Sequence, residues 1–262
     1  MEIRTLPAHD EMRPLARGIE AACLMAVCVM VMLHVFRLLA VPEAFHWWHL
    51  PALLAGMLLA DLSSGIVHWV ADTWGSETMP VLGPRFLRPF RIHHINPDDF
   101  LGRDFIDTNG DVAMINIPFF LAAFLIPLED DFGSLATVFM VAFNTCSVHT
   151  NQIHQWAHMS HPPRLVRWLQ EKGLILSREQ HQRHHTAPFV VNYCITTGWC
   201  NQILTDVGFF PAAERTISWL TGLKPRGDGG TFTAQIENHV TRRNVVVESM
   251  RRRRCDKVLT EN

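Results

Sequence analysis

Lysine is almost missing from this chain: of 23 Lys and Arg residues in 262, only Lys172, Lys224 and Lys257 are lysine. Tyrosine occurs once, at Tyr193. Charged residues make up 18%, against roughly 25% in an ordinary soluble domain. With 48% hydrophobic residues, this composition excludes a disordered chain, and no glycine period or heptad run points to collagen or a coiled coil. No CxxC pair is present, and Cys23, Cys28, Cys146, Cys194, Cys200 and Cys255 are scattered, which argues against a disulfide scaffold. They are expected to be reduced and mostly packing residues. No internal repeat, glycine-rich nucleotide fingerprint or haem-attachment sequence occurs, and no nucleic-acid partner is expected.

What the chain does have is apolar residues gathered in blocks. Ile19–Phe36, Leu50–Ala71, Val112–Leu128 and Phe132–Ile153 carry few ionisable groups. A bilayer core takes about 20 residues of helix, so the blocks predict an all-α, multi-pass membrane protein with four transmembrane helices near 19–40, 50–71, 112–128 and 132–153. Four buried helices of a soluble protein is the competing reading, and it needs all four lengths to coincide. Arg and Lys test the choice. The successive flanking segments hold 3, 0, 4, 0 and 15 of them, with Arg37 apart. That alternation fits the positive-inside rule and puts both termini and segment 72–111 in the cytoplasm. Val41-Pro42-Glu43 is a poor cleavage site, so the first block is expected to be retained as a helix rather than removed as a signal peptide. Segments Pro80–Pro97 and Ile195–Leu220 mix aromatic and basic residues, as helices lying at the membrane surface do. The division expected is a membrane-embedded unit over 1–226 and a polar tail over 227–262, whose Arg251–Arg254 cluster suits anionic headgroups.

Histidine is the other excess, with 15 residues. Nine candidate donors fall in three clusters: His68 and Asp72 with His93 and His94 downstream; His154 and His158; and His181, His184 and His185. Residues at i and i+4 share a helix face, so His68–Asp72 and His154–His158 can each present two donors, and His181 has partners at both i+3 and i+4. Every cluster falls at the predicted cytoplasmic side. Imidazole suits iron, zinc, copper and nickel, and a carboxylate shifts preference toward harder ions. Eight histidines and an aspartate exceed the needs of one ion and fit two.

The remaining histidines read as bystanders. His149 is rotated about 140° from His154 on a helix of 3.6 residues per turn and should point away. His34 reads as helix packing. His46 and His49 flank Trp47 and Trp48 in an interfacial belt. His9, His161 and His239 have no partner pattern. Asp61, seven residues before His68, suits either a carboxylate that accepts a ligand's second ring N–H or a polar contact with Ser63 or Ser64. Arg85, Arg88, Arg91 and Arg183 suit an acidic carrier, a substrate phosphate or plain positive-inside anchoring.

Several runs resemble the Kua/CarF-type lipid desaturases: ADLSSGIVHWVADTWGS from Ala60, RPFRIHHINP from Arg88, RDFIDTNGD from Arg103, TNQIHQWAH from Thr150, HQRHH from His181, NYCITTGWCN from Asn192 and LTGLKPR from Leu220. The resemblance covers about Gly56 to Arg226 in order; the first helix and the tail lie outside it. Asn96 and Pro97–Leu101 depart from the pattern, which bears on local packing rather than on ligation. Animal and bacterial members are plasmanylethanolamine desaturases, and a plant chloroplast branch desaturates an acyl chain of phosphatidylglycerol.

The resemblance implies the eight histidines named above as ligands of two iron ions, with Asp72 as the ninth. It implies O2 as co-substrate and an ether phospholipid whose sn-1 alkyl chain becomes a vinyl ether. It also implies electrons from a separate carrier such as cytochrome b5 or ferredoxin. No catalytic residue is expected beyond the metal ligands. Alternatives are a desaturase or hydroxylase of another phospholipid acyl chain, an intramembrane zinc hydrolase and a non-enzymatic membrane signalling protein. The hydrolase needs a general-base Glu as in HExxH, where this chain has Trp69-Val70-Ala71 and Gln155-Trp156-Ala157. A bacterial inner membrane is the favoured location, the endoplasmic reticulum the alternative.

Overall fold

A computed structural model describes residues 14–41, 46–76, 79–80, 82–95, 97–186 and 188–225. His9, His239, Cys255, Arg251–Arg254 and the 227–262 tail lie outside them, and with them the expected division at 226. Among the described residues every regular element is helical, as the apolar blocks predict. Four long helices dominate: α1 (Pro14–Leu39), α2 (His49–Thr73), α5 (Phe105–Phe124) and α6 (Asp131–His158). Between α2 and α5 lie a wide helical turn over Gly83–Leu87 and the short helices α3 (Arg88–Ile95) and α4 (Pro97–Leu101). After α6 come α7 (Arg164–Glu171), α8 (Arg178–His184), α9 (Trp199–Asp206) and α10 (Phe209–Thr221).

The long helices run up and down. α2 packs along α6, α1 along α5, and α5 along α6. An ion pair between Arg17 and Asp104 joins the start of α1 to the start of α5. At the far end, His46 lies 3.1 Å from Asp131 and ties together the two short connections. Arg37 donates there to the carbonyls of Ala123 (3.2 Å) and Ile126 (2.9 Å), at and just beyond the end of α5. Gly56 allows the close α2–α6 approach, since a Cβ there would come within 2.5 Å of the Phe139 carbonyl.

The bundle is apolar outside and polar within. Met25, Met32, Phe36, Leu50 and Leu58 are exposed, while Asn109, Asn116, Thr137 and Asn144 are buried. A soluble protein reverses this arrangement; lipid permits it, with helices joined by small residues and polar contacts. α1, α2 and α6 are long and apolar enough to cross a membrane. The third block differs from expectation. Its helix begins at Phe105, not 112, because the Asp104 carboxylate accepts the N–H groups of Ile106 and Asp107 as an N-cap. It ends at Phe124 rather than 128. With Asp107, Asn109 and Asp111 in its first two turns, α5 falls short of the length and apolarity of the other three.

The 195–220 stretch also differs. Ile195, Thr196 and Thr197 are buried in an extended loop, and only α9 and α10 beyond it present exposed apolar residues such as Ile203, Phe209 and Trp219. A cluster of Trp69, Tyr193 and Phe210 seats α10 against α2. A second, of Ile153, Ala157, Leu176 and Ile195, packs this loop and the segment leading into α8 against α6. Cys23, Cys28, Cys146, Cys194 and Cys200 are free thiols.

Candidate metal centre

Four segments far apart in the chain meet at one end of the bundle: the last turns of α2, α3 and α6, and α8. They bring together all nine donors singled out by spacing, in two groups. His93, His154, His158, His181 and His185 form one; His68, Asp72, His94 and His184 form the other. Within each group, one donor atom per residue lies within 4.8 Å of all the others. Neighbouring residues are divided between the groups: His93 and His94 part company, and so do His184 and His185. The groups abut, with His94 and His185 ring centroids 4.7 Å apart and those of His184 and His185 5.5 Å apart.

The donor atoms point inward. His181 Nε2 lies 2.8 Å from His154 Nε2, 2.6 Å from His158 Nε2 and 3.0 Å from His185 Nε2, and His185 Nε2 is 3.0 Å from His93 Nε2. In the second group, Asp72 Oδ2 is 3.3 Å from His68 Nε2, 3.0 Å from His94 Nε2 and 3.5 Å from His184 Nε2. One ring hydrogen satisfies one such contact, so the other lone pairs around His181 face each other, which only a cation among them relieves. Bonds of roughly 2.1 Å to imidazole set adjacent octahedral donors about 3.0 Å apart and tetrahedral ones about 3.4 Å. The observed spacings suit that range, and the two clusters can hold metal ions.

Hydrogen bonds fix which ring nitrogen faces inward. His68 Nδ1 pairs with the Tyr193 carbonyl at 3.1 Å, and His184 Nδ1 with the Val191 carbonyl at 2.8 Å. Each leaves Nε2 as the free lone pair, the arrangement that orients metal-binding imidazoles. Aromatic rings wall the site: Phe90 against His68, Phe100 against His93 and His154, Phe189 against His94.

Burial, the largest effect on each, holds His93, His181, His184 and His185 below the usual imidazole range. The rings are therefore neutral and competent as donors at pH 7. An unfolded histidine titrates near 6.5, so below that pH the unfolded chain binds more protons than the folded one, and stability falls as pH drops. Each such group contributes up to about 1.4 kcal/mol per pH unit. Chelator-stripped protein is expected to lose thermal stability steeply from pH 7 to pH 5 in a melting series in detergent; a flat profile would contradict the neutral assignment.

Other residues settle into structural places. His149 is exposed on the opposite side and bonds only the Thr145 carbonyl in its own helix. His34 is buried, stacks on Phe124 at 3.8 Å and reaches the Phe120 carbonyl. His49 bonds His46 beside the stacked Trp47–Trp48 pair, and His161 is exposed. Arg91 does not await a carrier or phosphate: it is buried and donates to the Trp74 and Gly75 carbonyls, clamping α3 to the end of α2. Arg183 pairs with Glu179.

Neither expectation for Asp61 matches. It touches no histidine, and Ser64 meets its backbone carbonyl rather than its carboxylate; that carboxylate accepts backbone N–H groups from residues 196–200. Sequence reasoning also missed Gln155, one residue from His154. Its amide donates to the Phe100 and Arg103 carbonyls at 2.8 and 2.9 Å, pinning Phe100 over the site. No spacing distinguishes that amide from a surface one.

Comparison with known proteins places this geometry in a lineage. The lipid desaturase domain family matches residues 57–228. The chain is 44% identical over 215 residues to the plasmanylethanolamine desaturase of Myxococcus xanthus, covering 82% of this chain and 76% of that protein. It is 41% identical over 204 residues to plasmanylethanolamine desaturase 1 of Mus musculus, covering 73% and 74%. Against chloroplastic fatty acid desaturase 4 of Arabidopsis thaliana it is 36% identical over 175 residues, covering 66% and 52%. No solved structure matches. The chain belongs to the lipid desaturase family. It is a membrane oxidoreductase of lipid metabolism, which sets aside a purely signalling role.

Proposed function

We propose that the protein is a plasmanylethanolamine desaturase that converts the sn-1 alkyl ether of its phospholipid substrate to a vinyl ether, giving a plasmalogen. The abutting five- and four-donor groups carry the reading of two metals, and the identity to two plasmanylethanolamine desaturases carries the substrate. In the reaction, O2, two electrons and two protons remove one hydrogen each from C1 and C2 of the chain and leave as two waters. Bound iron supplies the oxidising power that unactivated C–H bonds require and acid–base groups lack. Electrons come from an external donor of the cytochrome b5 or ferredoxin kind.

The chain's own part is placement. Five histidines hold one ion, and His68, Asp72, His94 and His184 hold the other, with Asp72 bringing the negative charge. The Tyr193 and Val191 carbonyls keep two of these rings in the donor tautomer. Phe90, Phe100 and Phe189 exclude water and offer an apolar surface to the alkyl chain. The arginine distribution supports a four-pass topology, α5 included, with both termini and the metal centre on the cytoplasmic side. A bacterial inner membrane fits better than the endoplasmic reticulum.

The test is lipid analysis of a host that makes alkyl ether lipids but no vinyl ethers, fed labelled alkylglycerol. Expression is expected to yield an iron-dependent product that mild acid splits to a labelled aldehyde. New double bonds in acyl chains without that aldehyde would favour acyl-chain desaturation instead.

A further inference from the structure

We propose that Asp61 is a positioning residue for the four-donor metal site, acting through the 191–200 loop. The proposal rests on the reading that those four donors hold a metal. Asp61 is fully buried at the middle of α2. Its Oδ1 accepts the N–H groups of Thr196 (3.2 Å), Thr197 (2.7 Å) and Gly198 (2.8 Å), and its Oδ2 accepts that of Cys200 (3.0 Å).

Those bonds hold a stretch of backbone that has no helix or sheet of its own. Irregular backbone beside a membrane helix survives only where protein groups satisfy it, and side chains do so here. Ser64 Oγ accepts the Ile195 N–H at 3.0 Å, and Asn201 pairs with both the N–H and the carbonyl of Cys194 at 2.9 Å. Asn192 starts the loop with a left-handed φ of 57°, and Gly198 ends it with one of 74°. A Cβ at Gly198 would collide with the Gln180 side chain, so the loop lies flush against α8.

The N–H groups of residues 194–198 are all engaged by these side chains, and two carbonyls at the start of the loop meet the metal-site histidines. Those of Val191 and Tyr193, on either side of the left-handed Asn192, are the groups that orient His184 and His68. Asp61 therefore sets ring angles on two different helices without touching either ring. The five-histidine group has no such dependence: none of its rings bonds this loop in the described structure.

The experiment is anaerobic Fe(II) titration of the purified full-length chain after chelator treatment, reading iron per chain and its Mössbauer signature. Wild-type protein is expected to take two ions. Asp61→Asn keeps the side chain's shape but turns an N–H donor toward the Cys200 N–H. It is expected to weaken one ion by about 10–100-fold, the usual cost of losing an outer-shell partner, and to leave the other unchanged. Asn201→Ala frees the same loop without altering α2, and the same selective loss is expected from it; it replaces the first variant if that one does not accumulate. Two ions bound as tightly as in wild type, or both weakened alike, would overturn the positioning role. Fewer than two ions in the wild-type chain would overturn the two-metal reading itself, and with it this proposal.

Discussion

Replacing His181 with alanine is expected to abolish vinyl-ether formation while the protein still accumulates in the membrane. His181 is the hub of the five-histidine group, with three other Nε2 atoms within 3.0 Å of its own. Its removal opens the middle of the donor set rather than an edge, and neither His154 nor His158 can close the gap from a helix fixed by packing along α2. Losing an outer-shell partner alone costs about 10–100-fold in affinity or activity, so losing this donor should exceed the upper end. The measurement is acid-released aldehyde together with iron per chain. His149→Ala is the companion: five residues before His154 on the same helix but facing out, it is expected to leave product and iron near wild-type levels. Equal damage from both variants would mean that the inward face of α6 has been misassigned.

Asp72→Ala is expected to have an effect of the same order by a different route. Asp72 is the one carboxylate among nine donors, and its Oδ2 touches the inward nitrogen of all three histidines in its group. Without it three neutral rings remain and nothing offsets a divalent charge in a buried site, where unpaired charge is costly. Product should vanish and bound iron should fall to one per chain, with the five-histidine ion kept. Full activity in this variant would remove Asp72 from the ligand set.

Much of this site could be read from spacing because helices impose it. His68–Asp72, His154–His158 and His181–His185 meet because i and i+4 share a face, and His149 points away by the same geometry. The apolar blocks located the four long helices for a similarly simple reason, the length of uninterrupted apolar run, and three of those helices are long and apolar enough to cross a bilayer. What escaped depends on tertiary contact. Nothing in HH at 93–94 or 184–185 says that adjacent residues serve different groups; that follows from the angle at which α3 and α8 cross the ends of α2 and α6. Asp61 shares the His68 face by sequence, yet its partners come from residues 196–200, brought there by a loop with no periodicity to read. The early start of α5 was hidden because Asp107 and Asp111 ended the apolar run, and the Asp104 cap lies before both of them. Arg91 looked like surface charge because its partners are backbone carbonyls.

The way neighbouring histidines are shared between the two groups has a mechanical consequence. His93 meets His185 across 92 residues of chain, and His94 meets His184 across 90. An ion at either place would act as a cross-link closing a loop of that length, as a disulfide does, and a closure of that size removes about 4–5 kcal/mol of freedom from the unfolded chain. Iron supply would then govern how long the protein survives in the membrane as well as how fast it works, because a chain short of metal also lacks these cross-links.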